Sequence, residues 1–348
     1  MKDKVIKQMG KYIRAVIFLV VIVLITSVVN YVMVRSGYVR YIIHEAGNSK
    51  TEDDYDCVVI GASHGRAAID PVYLIESGYA DNPINMCIQG ATVIDNYYML
   101  KEICRNNDIK KVILEMDYQF WVKDNKRDYD FGNLKVYQQL PMSKVKLEYV
   151  AKELLNKDFR TVIYKENAFA GNLSQVRKNL RIKASEAYQN YEISAAEGIE
   201  TEGTYMGRGF FYREKDTDKK GDFRVRMWSE DRINSNVRKH FEMIVDYCKD
   251  NNIELVCITE PITPTSVEKG PVREADAYFA SLCSSLGVTY IDYNLVKKEY
   301  LEVSDSDFSD WEGHMNGALA EKFSDLLGKT LAGLLDCDDV LKSGYGME

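Results

Sequence analysis

No two cysteines of this chain stand at the Cys-x-x-Cys spacing of a zinc or redox site, and their number is odd: Cys57, Cys87, Cys104, Cys248, Cys257, Cys283 and Cys337. That argues against a disulfide scaffold and a thiolate metal centre as organising principles, while an extracytoplasmic setting still allows one disulfide. Cys57, Cys87 and Cys257 lie in apolar runs, where a free thiol acts as a small core residue. A His-Glu-x-x-His motif, a Gly-rich phosphate loop and a carboxylate cage are missing too, so nothing asks for a metal or another cofactor. No internal repeat is visible. Acidic side chains outnumber basic ones beyond the N-terminus. Residues 1 to 40 carry +6, and taking this from the net −8 leaves −14 for residues 41 to 348. A large domain of that charge has nothing to neutralise a nucleic acid or another polyanion; an acidic, solvated surface is the plain reading.

What is present starts with an uninterrupted apolar run. Residues 15 to 34, AVIFLVVIVLITSVVNYVMV, contain no charge and would span about 30 Å as a helix, the thickness of a bilayer's hydrocarbon core. The run exceeds the ~7–15 residues of a signal peptide's apolar region, and no Ala-x-Ala-like cleavage site follows, so an uncleaved transmembrane helix is expected over a secreted protein. Lys2, Lys4, Lys7, Lys11 and Arg14 precede it, against Arg35 and Arg40 after it. The positive-inside rule then places residues 1 to 14 in the cytoplasm and the large domain outside, anchored by a single pass. Residues 35 to 54, with Gly47-Asn48-Ser49 at their centre, read as a polar stalk, and residues 336 to 348 as a C-terminal tail.

Between them, residues 55 to 335 alternate two kinds of pattern. Asp56–Ile60, Pro83–Ile88, Lys111–Met116, Glu254–Thr259 and Val288–Ile291 are short apolar runs of the kind found in strands buried on both faces of a parallel sheet. Ala91–Asn107, Glu230–Asn251, Arg273–Gly287 and Asn316–Leu335 carry apolar residues at helical spacing, as in Phe241, Ile244, Val245 and Cys248. The alternation predicts a doubly wound, flavodoxin-like α/β sandwich of three layers with about five parallel strands. Residues 118 to 226 break the rhythm with helical patterns at Lys144–Leu155 and Leu173–Ser185, and read as an insertion at the sheet's carboxyl edge, a lid or an acceptor platform.

Ligands of an open parallel sheet bind beyond the carboxyl ends of its strands. That rule gathers Gly61-Ala62-Ser63-His64-Gly65, Gln89-Gly90-Ala91, Asp117-Tyr118, Glu260-Pro261 and Asp292 along one edge. Ser63 sits on a tight turn after the first strand, where a nucleophile is exposed. Far downstream comes Asp310-Trp311-Glu312-Gly313-His314-Met315-Asn316, which holds an acid and an imidazole in the order a serine triad can use.

On Gly61-Ala62-Ser63 after the first strand, Gly90 after the second, and Asp310 and His314 followed by Asn316 and a helix, the chain resembles the SGNH (GDSL-like) hydrolase superfamily. It is similar in particular to the membrane-anchored branch that holds DltD and the alginate O-acetylation proteins. The resemblance covers roughly residues 55 to 118 and 254 to 335. It implies Ser63 as nucleophile, His314 as base and Asp310 as the acid that orients the imidazole. It also implies the Ser63 and Gly90 N–H groups as oxyanion donors. A membrane-bound O-acyltransferase partner, handing over the acyl group, belongs to the same implication.

Three positions depart from that family. Its Gly-Asp-Ser is Gly-Ala-Ser here; its Gly-x-Asn block is replaced by Leu114-Glu115-Met116-Asp117; its Asp-x-x-His is Asp310-x-x-x-His314. Gln89 is the substitute candidate for the missing side-chain oxyanion donor. An extra Gly313 bulge would restore the acid's geometry; otherwise Glu312 or Asp307 serves, or Ser63 and His314 act as a dyad. Of the other histidines, His64 is expected to project away from the nucleophile in a structural role, His44 to belong to the stalk and His240 to the polar face of a helix. Glu260 either lines the pocket or starts a helix. The aromatic groups Tyr118, Phe120, Trp121 and Phe210, Phe211, Tyr212 either stack on sugar rings or form the insertion's own core. Asn172-Leu173-Ser174 is a glycosylation sequon only in a cell that glycosylates.

Two functions follow as expectations. One is an extracytoplasmic serine esterase or O-acyltransferase acting on acyl or acetyl groups of a cell-envelope polysaccharide. The other is a catalytically decayed module of the same fold that binds glycan or scaffolds an envelope complex.

Overall fold

A computed structural model describes residues 2–34, 36–47, 54–122, 135–155, 174–214, 223–225 and 227–345. Asn48 and Ser49 of the expected stalk, Asn172 and Leu173 of the sequon, and Arg226 at the insertion's end lie outside the described residues. The chain divides into two compact units, Met1–Tyr41 with Leu147–Glu197, and Ile42–Lys146 with Gly198–Glu348.

The first unit is helical. Helix α1 (Lys2–Met33) holds a stretch, Gln8–Met33, long and apolar enough to cross a membrane, with a mean hydropathy of 2.7 over its most apolar window. Its side chains from Val16 to Ile25 are exposed, which in water would waste their transfer free energy. The carbonyls that the last turn of a helix leaves open are met from the helix Ser174–Lys183. Asn179 Nδ2 donates to Val32 and Met33 oxygens, both at 3.1 Å, and the Lys183 ammonium to those of Tyr31 and Val34. A cation at a helix C-terminus is where the macrodipole favours it.

The second unit is the expected α/β sandwich. Five strands, β1 (Cys57–Ile60), β2 (Pro83–Asn85), β3 (Lys111–Glu115), β6 (Glu254–Thr259) and β7 (Thr289–Asp292), pair in the order β2-β1-β3-β6-β7. Every pairing is parallel. Strands β1 and β2 are buried along their whole length, as a sheet covered on both faces requires. Helices α3 (Ser63–Ala68), α4 (Pro71–Glu76) and α5 (Val93–Ile103) follow β1 and β2, with the longer Ser235–Asp250, Val272–Leu286 and Gly317–Leu331 after them. The C-terminal helix closes on the N-terminal part of the sheet: Ser324 Oγ accepts from the Asp70 N–H and donates to the Ala68 oxygen. The core under this helix runs from Cys57 and Val59 through Ile113 and Ile258 to Phe323 and Leu327.

Four local expectations need correction. The connector after α1 carries a helix, α2 (Val39–Gly47), whose Tyr41, Ile42, Ile43 and Ala46 are buried, and His44 lies within it. The C-terminal segment is packed: Cys337–Val340 is helical, Val340 is fully buried and the Tyr345 hydroxyl donates to Asp292. His240 is 1% exposed, its Nδ1 bonded to the Asn236 oxygen and its ring beside Tyr97 and Tyr98. Trp121, Phe210 and Phe211 are buried too; Trp121 packs on Phe241 and Phe279, so none of the three is free to stack on a sugar. Within the insertion, strands β4 (Thr204–Gly207) and β5 (Phe210–Tyr212) form a hairpin pressed on the sheet edge, where the Asn85 N–H donates to the Arg208 oxygen. All seven cysteines are free thiols.

Candidate active site

The turn that carries Ser63 is shaped by Glu115, the last residue of β3. Its Oε2 accepts the Ala62 N–H at 2.7 Å, and its side chain fills the space where any Cβ at Gly61 or Gly65 would sit: 2.6 Å and 3.1 Å respectively from Glu115 Cβ. Cys87 closes the same space from the other side. The Gly61-x-Ser63-x-Gly65 spacing is therefore a packing requirement. Two positions four apart must be bare so that a carboxyl can lie under the turn. Asn85 fixes the helix beyond it, donating to the Gly65 oxygen at 3.0 Å and the Ile69 oxygen at 2.7 Å. The Ile88 N–H donates to the Gly61 oxygen, which brings the exit of β2 to the turn; Gly90 lies two residues on, half-buried at φ 71°, while Gln89 is exposed.

His314 and Asp310 sit on a loop closed by the Ser309 N–H donating to the His314 oxygen at 2.7 Å. Asp310 Oδ1 accepts the Glu312 and His314 N–H groups, and Oδ2 accepts from His314 Nδ1 at 2.7 Å. The additional residue in the loop is absorbed at Gly313, whose φ of 87° is left-handed and unstrained only for glycine. Asp310 has a second partner that the sequence reading missed: Arg213, just past β5, donates to the same Oδ2 at 2.9 Å. Burial works against the Asp310 charge, but the bond from His314 and the cationic neighbours hold its carboxyl well below the usual range. The two alternative acids are engaged elsewhere, Glu312 with Arg224 at 3.1 Å and Asp307 with Ser304.

His314 is 6% exposed, and its Nε2 is buried with no hydrogen-bond partner among the described residues. Ser63, 7% exposed, does not fill that role in this structure. Burial, above all, pulls the imidazole down to about 4, so the ring is neutral at ordinary pH. With Nδ1–H given to Asp310, the lone pair on Nε2 is the free one.

His64 does not point away from this constellation. It stacks on His314 with ring centroids 4.7 Å apart and planes 29° from parallel, which sets His314 beside the residue that follows Ser63. Its Nδ1 meets Asp117 Oδ2 at 2.9 Å and its Nε2 the Glu312 oxygen at 3.1 Å. Beyond it lies a cavity of about 30 Å³, lined among others by Asp117, Glu260, Arg224 and Thr263. Glu260 is 3% exposed with Oε2 unpartnered among the described residues; burial, then Asp117, raises it to about 8. Glu115 is likewise raised well above the carboxylate range by burial and by Glu260. No group of side chains suited to a metal ion occurs among the described residues.

No family model matches the chain, and no curated protein matches it. Among solved structures it is similar to a GDSL-like lipase from Bacteroides thetaiotaomicron, at 9% identity over 86% of this chain and 100% of that one, with a TM-score of 0.39. It is also similar to a proposed acylhydrolase from Bacteroides fragilis, at 9% identity over 83% of this chain and 94% of that one, with a TM-score of 0.38. Both are likenesses of chain path at an identity where activity does not follow from fold.

Proposed function

We propose that the chain is a serine hydrolase or O-acyltransferase that works through Ser63, His314 and Asp310. One observation carries this reading: His314 is locked to Asp310 through Nδ1, its Nε2 is buried with no partner among the described residues, and its ring stacks on His64, the residue after Ser63. A buried imidazole nitrogen left without a bond is costly, and a base awaiting a proton is a reason to keep it. On this proposal Ser63 engages Nε2 when substrate binds, in keeping with the loose catalytic bonds of unliganded enzymes.

In this reading Ser63 Oγ attacks the acyl carbonyl while its proton passes to His314 Nε2. Backbone N–H groups at Ser63 and Gly90 face the oxyanion. Collapse breaks the acyl C–O bond, and His314 returns the proton to the departing oxygen. Water or an acceptor hydroxyl then attacks the Ser63 ester, gives its proton to His314, and Oγ leaves with that proton restored. Water gives an esterase, a glycan hydroxyl a transferase. The apolar α1 and the basic residues before it support an anchored protein with its α/β unit outside the cytoplasm; its proposed substrates there are acyl groups of an envelope polysaccharide, and its proposed partner a membrane-bound O-acyltransferase.

Full-length protein in detergent, treated with a fluorophosphonate, is expected to be labelled at Ser63 and not in Ser63→Ala. Absence of labelling in a folded wild type, or labelling unchanged in the variant, removes the reading. The second reading, a module that has lost its chemistry, is favoured by the lack of a Ser63–His314 bond, and that same negative result would establish it. A labelled acyl donor offered with and without a glycan then separates transfer from hydrolysis.

A further inference from the structure

His64 has an acceptor at each ring nitrogen, at 2.9 and 3.1 Å, with the Gln119 side-chain amide farther off, 3.4 Å from Nδ1. Its Nε2 faces a backbone carbonyl, that of Glu312, and so must carry a hydrogen. Its Nδ1 faces Asp117 Oδ2, and Asp117 already accepts the Gln119 N–H at 3.1 Å on Oδ1 and the Gln119 amide on Oδ2. A carboxyl that accepts both Gln119 donors is held ionised, so Nδ1, 2.9 Å from its Oδ2, carries a hydrogen as well. Two hydrogens make His64 an imidazolium, and its face lies against the neutral ring of His314.

We infer that His64 is a positioning residue of this site: a fixed imidazolium, clamped between Asp117 and the Glu312 carbonyl, that stacks on His314 and keeps that ring unprotonated. The inference rests on the proposed role of His314 for its catalytic consequence, but not for its electrostatics. Two effects follow from the clamp. The bond to Glu312 ties the Asp310–His314 loop to the nucleophile turn, across 248 residues of sequence. The charge opposes a second proton on the neighbouring ring, which makes His314 a poorer base and a better acid. A catalytic imidazole must do both jobs in turn, and this arrangement eases the return of the proton to the leaving oxygen while holding the base free under acidic conditions.

The groups facing the two rings agree with this assignment. Burial disfavours the His64 charge, yet the charge and hydrogen bond of Asp117, with the bond to the Glu312 carbonyl, overcome it and lift the ring to about 9. Asp117 responds in the opposite sense: burial would raise it, and the His64 charge and donated bonds bring it below its ordinary value. Around His314 stand Asp310, Arg213 and His64; the two cations add to burial in lowering it, and Asp310 alone opposes them. Glu260 and Arg224 line the cavity on the far side of His64.

The test is nitrogen-15 NMR of the four histidines in the full-length chain in detergent, titrated with pH. In wild type both His64 nitrogens are expected to be protonated at about pH 7.5, and His314 to stay neutral to about pH 5. In Asp117→Asn, His64 is expected to be neutral at about pH 7.5 and the His314 midpoint to rise by about one unit. His64→Gln, which keeps a donor for one side of the clamp, is expected to raise the His314 midpoint likewise, and the acid limb of kcat/KM by the same amount. A neutral His64 in wild type, or a His314 midpoint unmoved in both folded variants, overturns the inference. If Ser63 fails to react with the fluorophosphonate, the function falls while the titration still decides the charge of His64.

Discussion

The pairs His64–Asp117 and His314–Asp310 are made of the same residue types at Nδ1 to Oδ2 distances of 2.9 and 2.7 Å, and they differ in what the other ring nitrogen meets. For His64 it is a carbonyl oxygen, for His314 no partner among the described residues. In the proposed reading, that difference makes the first ring a cation that holds structure and leaves the second a neutral base. They titrate in opposite directions: against burial, Asp117 carries His64 up to about 9, while burial above all takes His314 down to about 4. An Asp–His contact by itself thus says little about catalysis; the free lone pair on the far side of the ring is what distinguishes a base from a brace.

The comparison breaks first at His314. His314→Gln is expected to lower kcat by about 10⁴- to 10⁶-fold, the scale on which a triad member is lost, with folding checked by circular dichroism. Its partner acid follows: Asp310→Asn should cost about 10²- to 10⁴-fold in kcat because the wrong ring tautomer is favoured. Asp117→Asn should instead move the pH profile and leave the rate at its optimum within about tenfold. Equal losses of kcat in Asp310→Asn and Asp117→Asn, measured at each variant's own optimum, would erase the distinction between the two pairs.

A smaller effect is expected at Arg213, which shares Asp310 Oδ2 with His314. Arg213→Met removes a bond that aims the carboxylate and a cation that lowers His314. The rate is expected to fall about tenfold from loss of aim, and the acid limb to shift toward neutral pH. A rise in KM with kcat unchanged would instead mark Arg213 as a substrate contact.

How much of this was legible in the sequence differs by element. Strands β1, β3 and β6 fall within a residue of their apolar runs, since burial on both faces leaves a continuous signal. β2 ends at Asn85, three residues before its run does, although the Met86 and Ile88 N–H groups still reach the Val59 and Gly61 oxygens; on the open edge the Cys87 N–H turns to the Asn85 side chain. Helix α2 was visible in principle: Tyr38, Tyr41 and Ile42, with Ala46 a turn later, fall at helical spacing in what reads as a stalk. The same holds for His240, which shares a stripe with Val237, Phe241 and Ile244. Asp310 and His314 are close in the chain, so their pairing could be read. His64–Asp117 and Arg213–Asp310 join residues 53 and 97 apart, and no local pattern announces such contacts. A buried Glu115 beneath the nucleophile turn is equally silent, except through the two glycines that make room for it.

The smallest expected effect is on stability, and it follows from the protons that the folded unit holds. His64 is raised in the fold from 6.5 to about 9, so its contribution is fully present below pH 6.5 and is lost as pH rises through 9. Glu260 is raised from 4.5 to about 8, so the fold, which keeps its proton, loses ground as pH climbs between those values. His314 is lowered from 6.5 to about 4 and works the other way, costing stability as pH falls through that interval. Between pH 4.5 and 6.5 the last two oppose each other; above pH 6.5 His64 and Glu260 act together. The melting temperature is therefore expected to change little over the lower interval and to fall by about 5 °C or more from pH 6.5 to 9. In Asp117→Asn, whose His64 is no longer held as a cation, the fall should be shallower. A wild-type melting temperature that holds steady or rises over the upper interval would mean that His64 carries no stabilising charge in the fold, and with that the contrast between the two pairs would disappear.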